Sequence, residues 1–308
     1  MSLRDFEGRG PWAMCTIAAK RNLALGRVVC TSFQRHHPTV PVYLLLADRV
    51  DGYFDPAEEP FRVVLLDELG MPELWPMSER YNQQEFSYAL TPFLMDWVRR
   101  QGFERVLFLK EESLVTGDLG PVMDLLTNAS LLLTPHLLRP LSAVAREQNI
   151  LQCGTYNGGF VAMADTAEAV RFVRWWQERM ATHCRYDPAA GMHFEQRWLD
   201  WAHSYVERVA VVRDPGVNVG HWNLPEREVT MDGEAIQVDG QPCRLFRFSG
   251  YDPDHPEFAT RYSARLTKEL LGPAAAVFGR YHEELLGAGW AETREWPYAF
   301  WPRGVPLA

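Results

Sequence analysis

Residues 13–48 read AMCTIAAKRNLALGRVVCTSFQRHHPTVPVYLLLAD. The apolar run at 13–18 predicts a strand, the pattern over 22–36 a helix, and the run at 40–46 a second strand that closes on Ala47-Asp48. Strand, helix and strand at this spacing make a parallel crossover, the unit from which α/β proteins are built. Working outward, the run at 61–66 repeats the strand pattern. Over 85–101 the side chains Phe86, Leu90, Phe93, Leu94, Trp97 and Val98 mark one face of a helix, in which Pro92 implies a kink or a later start and Gly102 a left-handed stop. A strand at 105–109 leads into the charged Lys110-Glu111-Glu112-Ser113, then the stretch 114–118, and a further strand is expected at 130–134. Asp165-Thr166-Ala167-Glu168 fits a capping box opening a helix that buries Val170, Val173, Trp176 and Met180. After a strand at 209–212 the pattern loosens, and Asp214-Pro215-Gly216, Met231-Asp232-Gly233 and Val238-Asp239-Gly240 predict hairpins. The expected fold class is therefore α/β, with a mostly parallel central sheet flanked by helices over residues 1–215 and a smaller C-terminal hairpin and helix region over 216–308.

Composition narrows the function classes. The chain has 308 residues, 47% hydrophobic and 23% charged, as a folded globular protein does. Its formal charge of −9 offers no general attraction to nucleic acid or anionic membrane, so any anionic ligand must be held locally. Only three of its 31 basic residues are lysines: Lys20, Lys110 and Lys268. Five scattered cysteines without a C-x-x-C pair argue against a disulfide framework or a zinc ribbon, and His36, His37, His183 and His193 show no metal-ligand grouping. The opening MSLRDFEGRGPWAM lacks signal-peptide architecture, and no apolar run approaches the roughly 18 residues needed for a membrane span. A soluble cytoplasmic protein is expected.

Eight segments in order carry a resemblance: CTIAAKRNLALGRVVCTSFQRHHP, YALTPFLM, VLFLKEESLVTGDL, YNGGFVAM, FEQRWLD, NVGHWNL, FRFSGYDP and YAFWPRGVPL. Together they resemble bacterial nucleotide-sugar glycosyltransferases of the GT-A (Rossmann-like) fold, the retaining group that includes glycogenin and the lipooligosaccharide galactosyltransferases. The resemblance implies that Thr16, Ala18 and Lys20 line the base and ribose, with Asp48 a further candidate, in keeping with ligand binding at strand C-terminal edges. It also implies that Asn157-Gly158-Gly159 is a sugar-contacting turn, Asn157 offering its amide and the glycines a close backbone approach.

The most informative segment departs from the family pattern. Relatives carry Asp-x-Asp, whose carboxylates hold a divalent cation against the diphosphate, where this chain has Lys110-Glu111-Glu112. A later metal-ligating His of the relatives is replaced by the Arg247 of Phe246-Arg247-Phe248-Ser249-Gly250. Two expected ligands have become cations. The expectation is compensation: Lys110 and Arg247 take the metal's place at the diphosphate, helped by Ser249 and the backbone of Gly250, with no cofactor and no Mn or Mg requirement. The opposing reading is a dead site in which Lys110 pairs with Glu111 or Glu112.

For chemistry, the resemblance points to Gln196 as a stabiliser near the anomeric carbon, Glu195 on sugar hydroxyls and Asp200 as a supporting or alternative carboxylate. His221, Trp222 and Asn223 fall on the acceptor side. Trp290, Trp296, Tyr298, Phe300 and Trp301 form an aromatic group for an acceptor or an oligomer contact. The implied activity is transfer of a hexosyl or N-acetylhexosaminyl group from a nucleoside diphosphate, UDP above all, to a small-molecule, glycan or protein acceptor. A non-catalytic nucleotide-sugar binding protein is the alternative. A dinucleotide oxidoreductase fits poorly, because Ala18-Ala19-Lys20-Arg21-Asn22-Leu23 stands where a Gly-x-Gly-x-x-Gly would be needed.

Overall fold

A computed structural model of the chain describes residues 12–233, 235–263 and 265–300. Residues 1–11, most of the opening MSLRDFEGRGPWAM, and Trp301 lie outside the described residues. The opening crossover is present as β1 (Trp12–Ala18), α1 (Leu23–His36) and β2 (Val42–Leu46), followed by β3 (Arg62–Leu65). Then come α2 (Leu74–Arg80), α3 (Gln83–Ala89), α4 (Thr91–Arg99), β4 (Arg105–Leu109), β5 (Ser113–Val115), α5 (Gly120–Met123) and β6 (Leu131–Pro135). The helix expected over 85–101 is divided: α3 ends before Leu90 and α4 restarts with Pro92 in its first turn, where a missing N–H costs nothing. Gly102 takes φ +99 and ends the segment, as expected.

The chain continues through α6 (Val144–Cys153), β7 (Tyr156–Ala164), α7 (Ala167–Met180), the two-residue strands β8 (Tyr186–Asp187) and β9 (Met192–His193), α8 (Ala202–Tyr205) and β10 (Val209–Val211). The central sheet runs β10-β6-β7-β4-β1-β2-β3, parallel throughout except that β7 opposes both β4 and β6. Helices cover both faces, so β1 and β7 are buried along their whole lengths and read as continuous apolar runs. One apolar core holds Ile17, Leu94, Phe108 and Trp176, the other Met14, Phe33, Leu107 and Phe160. Burying each such side chain contributes about 1.5–3 kcal/mol.

The box at 165–168 is only half formed. Thr166 accepts from the Ala169 N–H, but Glu168 turns away to Ser130, Arg208 and the Glu207 N–H, tying the starts of β6 and β10 together. Phe172, not Val170, takes the inner position on α7, beside Val173, Trp176 and Met180.

The C-terminal region holds β11 (Val219–Gly220), β12 (Val229–Asp232), β13 (Ala235–Val238), β14 (Gln241–Pro242), β15 (Leu245–Arg247), α9 (Ala274–Gly287) and α10 (Trp290–Thr293). Met231-Asp232-Gly233 and Val238-Asp239-Gly240 form the two hairpins of β12-β13-β14. Asp214-Pro215-Gly216 is a turn but no hairpin, because it carries the chain out of the central sheet into β11. β15 lies between β11 and β5, and β5 belongs to the first 215 residues. This pairing sets Arg247 opposite Ser113, three residues after Lys110, and so brings together the two cations expected to act as a pair.

Candidate functional site

A cavity of about 1180 Å³ opens beyond the C-terminal end of β4, between α6, the β8-β9 hairpin and the C-terminal region. Lys110 and Arg247 lie in its wall, and among the described residues no Asp or Glu lines it. Both cations are anchored from behind. Lys110 Nζ is 2.6 Å from Glu195 Oε1 and 3.5 Å from the centre of the Tyr88 ring. Arg247 is 2% exposed, reaches Glu112 at 3.9 Å through one nitrogen, and leaves Nε and Nη1 without a hydrogen-bond partner among the described residues. A buried guanidinium in the wall of a cavity, with two donors unpaired and Nη1 packed over Gly159, costs free energy that an anion reaching it would offset.

The glycine pair explains how these groups fit. Asn157-Gly158-Gly159 is not a turn; it lies within β7, because Leu109 pairs with Phe160 and the Lys110 N–H extends the ladder to the Gly159 carbonyl at 3.1 Å. A Cβ at Gly159 would coincide with the Arg247 guanidinium, and one at Gly158 would collide with the Glu195 carboxylate. The close approach that glycine permits is thus made by the protein's own side chains. Asn157 Oδ1 accepts from the Gly159 N–H at 2.8 Å, and its Nδ2 lies 3.0 Å from His136 Nε2.

Glu195 is fully buried, its carbonyl held by Trp176 Nε1 at 3.2 Å. Phe194 before it sits in the left-handed region at φ +52, a cost for a bulky residue, and the bend directs Glu195 inward. Gln196 is saturated: Oε1 accepts from the Gly158 N–H, and Nε2 donates to the Cys153 carbonyl and lies 3.2 Å from His193 Nδ1. Asp200 stands apart from the cavity, paired with Arg197 and accepting the Thr155 N–H. Glu111 is buried, and burial together with Glu112 raises its carboxyl toward neutrality. Glu112 Oε1 accepts the Gly250 N–H at 3.3 Å, and Gly250 at φ +71 leaves no room for a side chain beside Tyr262. Ser249 lines the cavity.

On the expected acceptor side, His221 and Trp222 line the cavity, and Trp222 Nε1 donates to the His136 carbonyl. Asn223 is spent on backbone, bonding Gly220, Asn218 and His136. Burial, then Arg146, pulls His221 down to about 4. Burial, then Lys110, does the same to His193, and burial, then His193, takes His136 to about 3. Sequence reasoning did not find Tyr88, His136 or Arg146, and gave His193 no role at the site. Tyr88 opens the segment YALTPFLM without being singled out there, the other three lie outside the quoted segments, and only tertiary packing brings the four together.

The residues expected at the base and ribose are not brought to the cavity. Thr16, Ala18 and Lys20 are buried, and Asp48 is 3% exposed. Lys20 Nζ lies 2.7 Å from Asp51 and 3.6 Å from Asp48. The Ala299 N–H donates to Asp48 Oδ1 at 3.0 Å, while Phe300 packs edge-on to Trp75 and Phe86. The segment 296–300 therefore lies as a strap across this edge.

Comparison with known proteins places the frame. The chain is similar to the uncharacterized protein YfnF of Bacillus subtilis strain 168, 25% identical over 255 residues, which is 78% of this chain and 81% of YfnF. No family model matches. Among solved structures it is similar to galactosyltransferase LgtC in complex with donor and acceptor sugar analogs, with TM-score 0.52 and 14% identity, covering 89% of this chain and 95% of that one. It is also similar to glycosyltransferase GlyE of Streptococcus pneumoniae TIGR4, with TM-score 0.52 and 14% identity, covering 94% of this chain and 66% of that one. The fold is that of the GT-A glycosyltransferases. In this GT-A frame Lys110 directly follows β4, so the cationic pair stands at the C-terminal edge of the sheet, where open α/β folds bind ligands. Among the described residues no helix is long and apolar enough to cross a membrane.

Proposed function

We propose that the chain is a glycosyltransferase that moves a hexosyl or N-acetylhexosaminyl group from a nucleoside diphosphate sugar, UDP first, to an acceptor hydroxyl without a metal. The observation that carries this is Arg247, buried beside Lys110 with two idle donors in a carboxylate-free cavity wall. In the reaction the bond from the anomeric carbon to the diphosphate oxygen breaks and its electron pair stays on that oxygen. Lys110 and Arg247 neutralise the charge formed there. The acceptor oxygen bonds to the anomeric carbon and its proton passes to the departing phosphate, on the same face in the retaining reading. Burial, then Arg146, holds His221 at about 4, so it stays neutral near pH 7 and is a weaker base for that proton than the departing phosphate.

The donor set does not suit a divalent cation. At the Asp-x-Asp position an ammonium is locked to Glu195, a guanidinium lies beside it, and among the described residues no three His, Cys, Asp or Glu side chains are grouped to hold a metal. No step is routed through one. The five free cysteines agree with a reducing, cytoplasmic setting.

The test is nucleotide release from a panel of UDP-, GDP- and TDP-sugars in EDTA and in manganese. Release in EDTA that manganese does not raise is expected; a strict manganese requirement overturns the metal-free reading. The second reading, a non-catalytic nucleotide-sugar binder, is favoured by the engagement of both Glu195 and Gln196 within the protein. Binding without any release would establish it.

A further inference from the structure

Among the described residues six Lys and Arg side chains line the cavity, and a nucleoside diphosphate does not use them all. Lys110 and Arg247 answer its two charges. Arg227 is consumed by the Pro215 and Val217 carbonyls and by Glu226. Arg146, Arg261 and Arg265 remain, exposed at the mouth, none with a carboxylate within ion-pair distance among the described residues. Arg146 comes from α6, a helix that buries none of its residues; Arg261 and Arg265 come from the loop following Gly250. His221 lies between these walls, within reach of the Arg146 charge and 6.3 Å from the Tyr262 ring. In a chain of net charge −9, three unneutralised arginines around one opening are the reverse of the general surface.

We infer that the mouth is the acceptor subsite and that the acceptor carries an anionic group, phosphate or carboxylate, held by Arg146 and Arg265 while its hydroxyl points past His221 to the donor. Guanidinium groups pair with both anions in a bidentate manner, so the shared chemistry is a planar or tetrahedral oxyanion. This rests on the proposed glycosyltransferase reading.

The test titrates methyl glucoside, glucose 6-phosphate and glucuronate into the full chain saturated with UDP, read by calorimetry. At least one charged probe is expected to bind about tenfold tighter than the neutral one, and comparing the two distinguishes phosphate from carboxylate. The preference should shrink as NaCl is raised. In the Arg146→Gln/Arg265→Gln double variant it should vanish. Equal or undetectable binding of all three probes overturns the inference, as does a double variant that loses UDP affinity instead, since the arginines would then serve the donor. Failure of the wild-type chain to bind any nucleotide or nucleotide sugar counts against the enzyme reading itself; the charge preference is then measured on the chain without UDP and still decides this inference.

Discussion

Two of the three lysines are buried, 90 residues apart in the chain, and the fold uses them in opposite ways. Lys20 is closed in on every side: Asp51 and Asp48 carboxylates, the Arg49 carbonyl and the Tyr53 ring surround it, with the strap at 296–300 tied to the same Asp48. Lys110 has one carboxylate behind it and an open cavity in front, with a second cation alongside. A buried ammonium that is fully paired is structural. One that shares its space with an underpartnered guanidinium is a place for a ligand's negative charge.

The largest expected effect separates the two regions by activity. Arg247→Met and Lys110→Met should each lower nucleotide release at least about 100-fold, the scale of removing a preorganised charge from a developing anion. Gly159→Ala should do the same without touching a charge, since its Cβ evicts the Arg247 side chain. Lys20→Met should leave turnover within a few fold. If Lys20→Met lost as much activity as Arg247→Met, the comparison would break, and the strand edge would be part of the donor site after all.

Stability should not separate the two lysines as activity does. Lys20→Met leaves Asp48 buried and uncompensated, costing about 3 kcal/mol, a fall in Tm of several degrees in a thermal melt. Desolvation already raises Asp48, so part of that cost is relieved by proton uptake. Lys110→Met strands Glu195 in the same way, and Lys110→Met/Glu195→Met should recover much of the lost stability while activity stays lost.

Much of this frame was legible in the chain. The β1-α1-β2 crossover, the break at Pro92 and two of three hairpins follow from periodicity and turn chemistry, which act over a few residues. That Lys110 and Arg247 come to one cavity wall accords with the expectation that they act together. What the sequence concealed are partners fixed by strand register: Lys110 meets Glu195 across 85 positions, and Arg247 fills the space above Gly159. Asn-Gly-Gly looked like a turn because glycine usually marks one, whereas here it thins a buried strand. The strap over Asp48 was not legible, because its aromatic residues and the segment beginning at Tyr298 point to an acceptor or oligomer contact and carry no sign of packing against β1 and β2.

Acidification should act on the two regions with opposite sign. His136, His193 and His221 are held neutral, with folded pKa values of about 3, 4 and 4 against roughly 6.5 in the unfolded chain. The unfolded state therefore binds more protons below pH 6.5, and stability present above that pH is lost on the way down to the folded values. For His136 alone the loss at pH 5 is about 2 kcal/mol. Asp48 is raised instead, so its contribution grows as pH falls. Hydrogen exchange at pH 7 and pH 5 should show β6 and β7 loosening first, with residues 48–51 holding. His136→Gln should flatten the decline, and an unchanged profile would show that the neutral histidines are not linked to folding.

The smallest effect bears most directly on what the strap does. Phe300 is half-buried between Trp75 and Phe86, and Arg49 stacks over it. Phe300→Ala should therefore cost about 1–2 kcal/mol, less than a fully buried phenylalanine would. It should also loosen the Ala299 bond to Asp48 and let water reach Thr16, whose hydroxyl is buried without a partner among the described residues. If the strap is only a structural cover, the affinity for UDP stays the same and the melt alone moves. If the strand edge takes the base, as the family resemblance implies, the strap competes with the nucleotide, and Phe300→Ala tightens UDP binding even as the fold weakens. Opposite movement of Tm and affinity in one variant cannot come from general destabilisation, which lowers both. That result would turn the sealed edge from a contrast to the cavity into its gated extension.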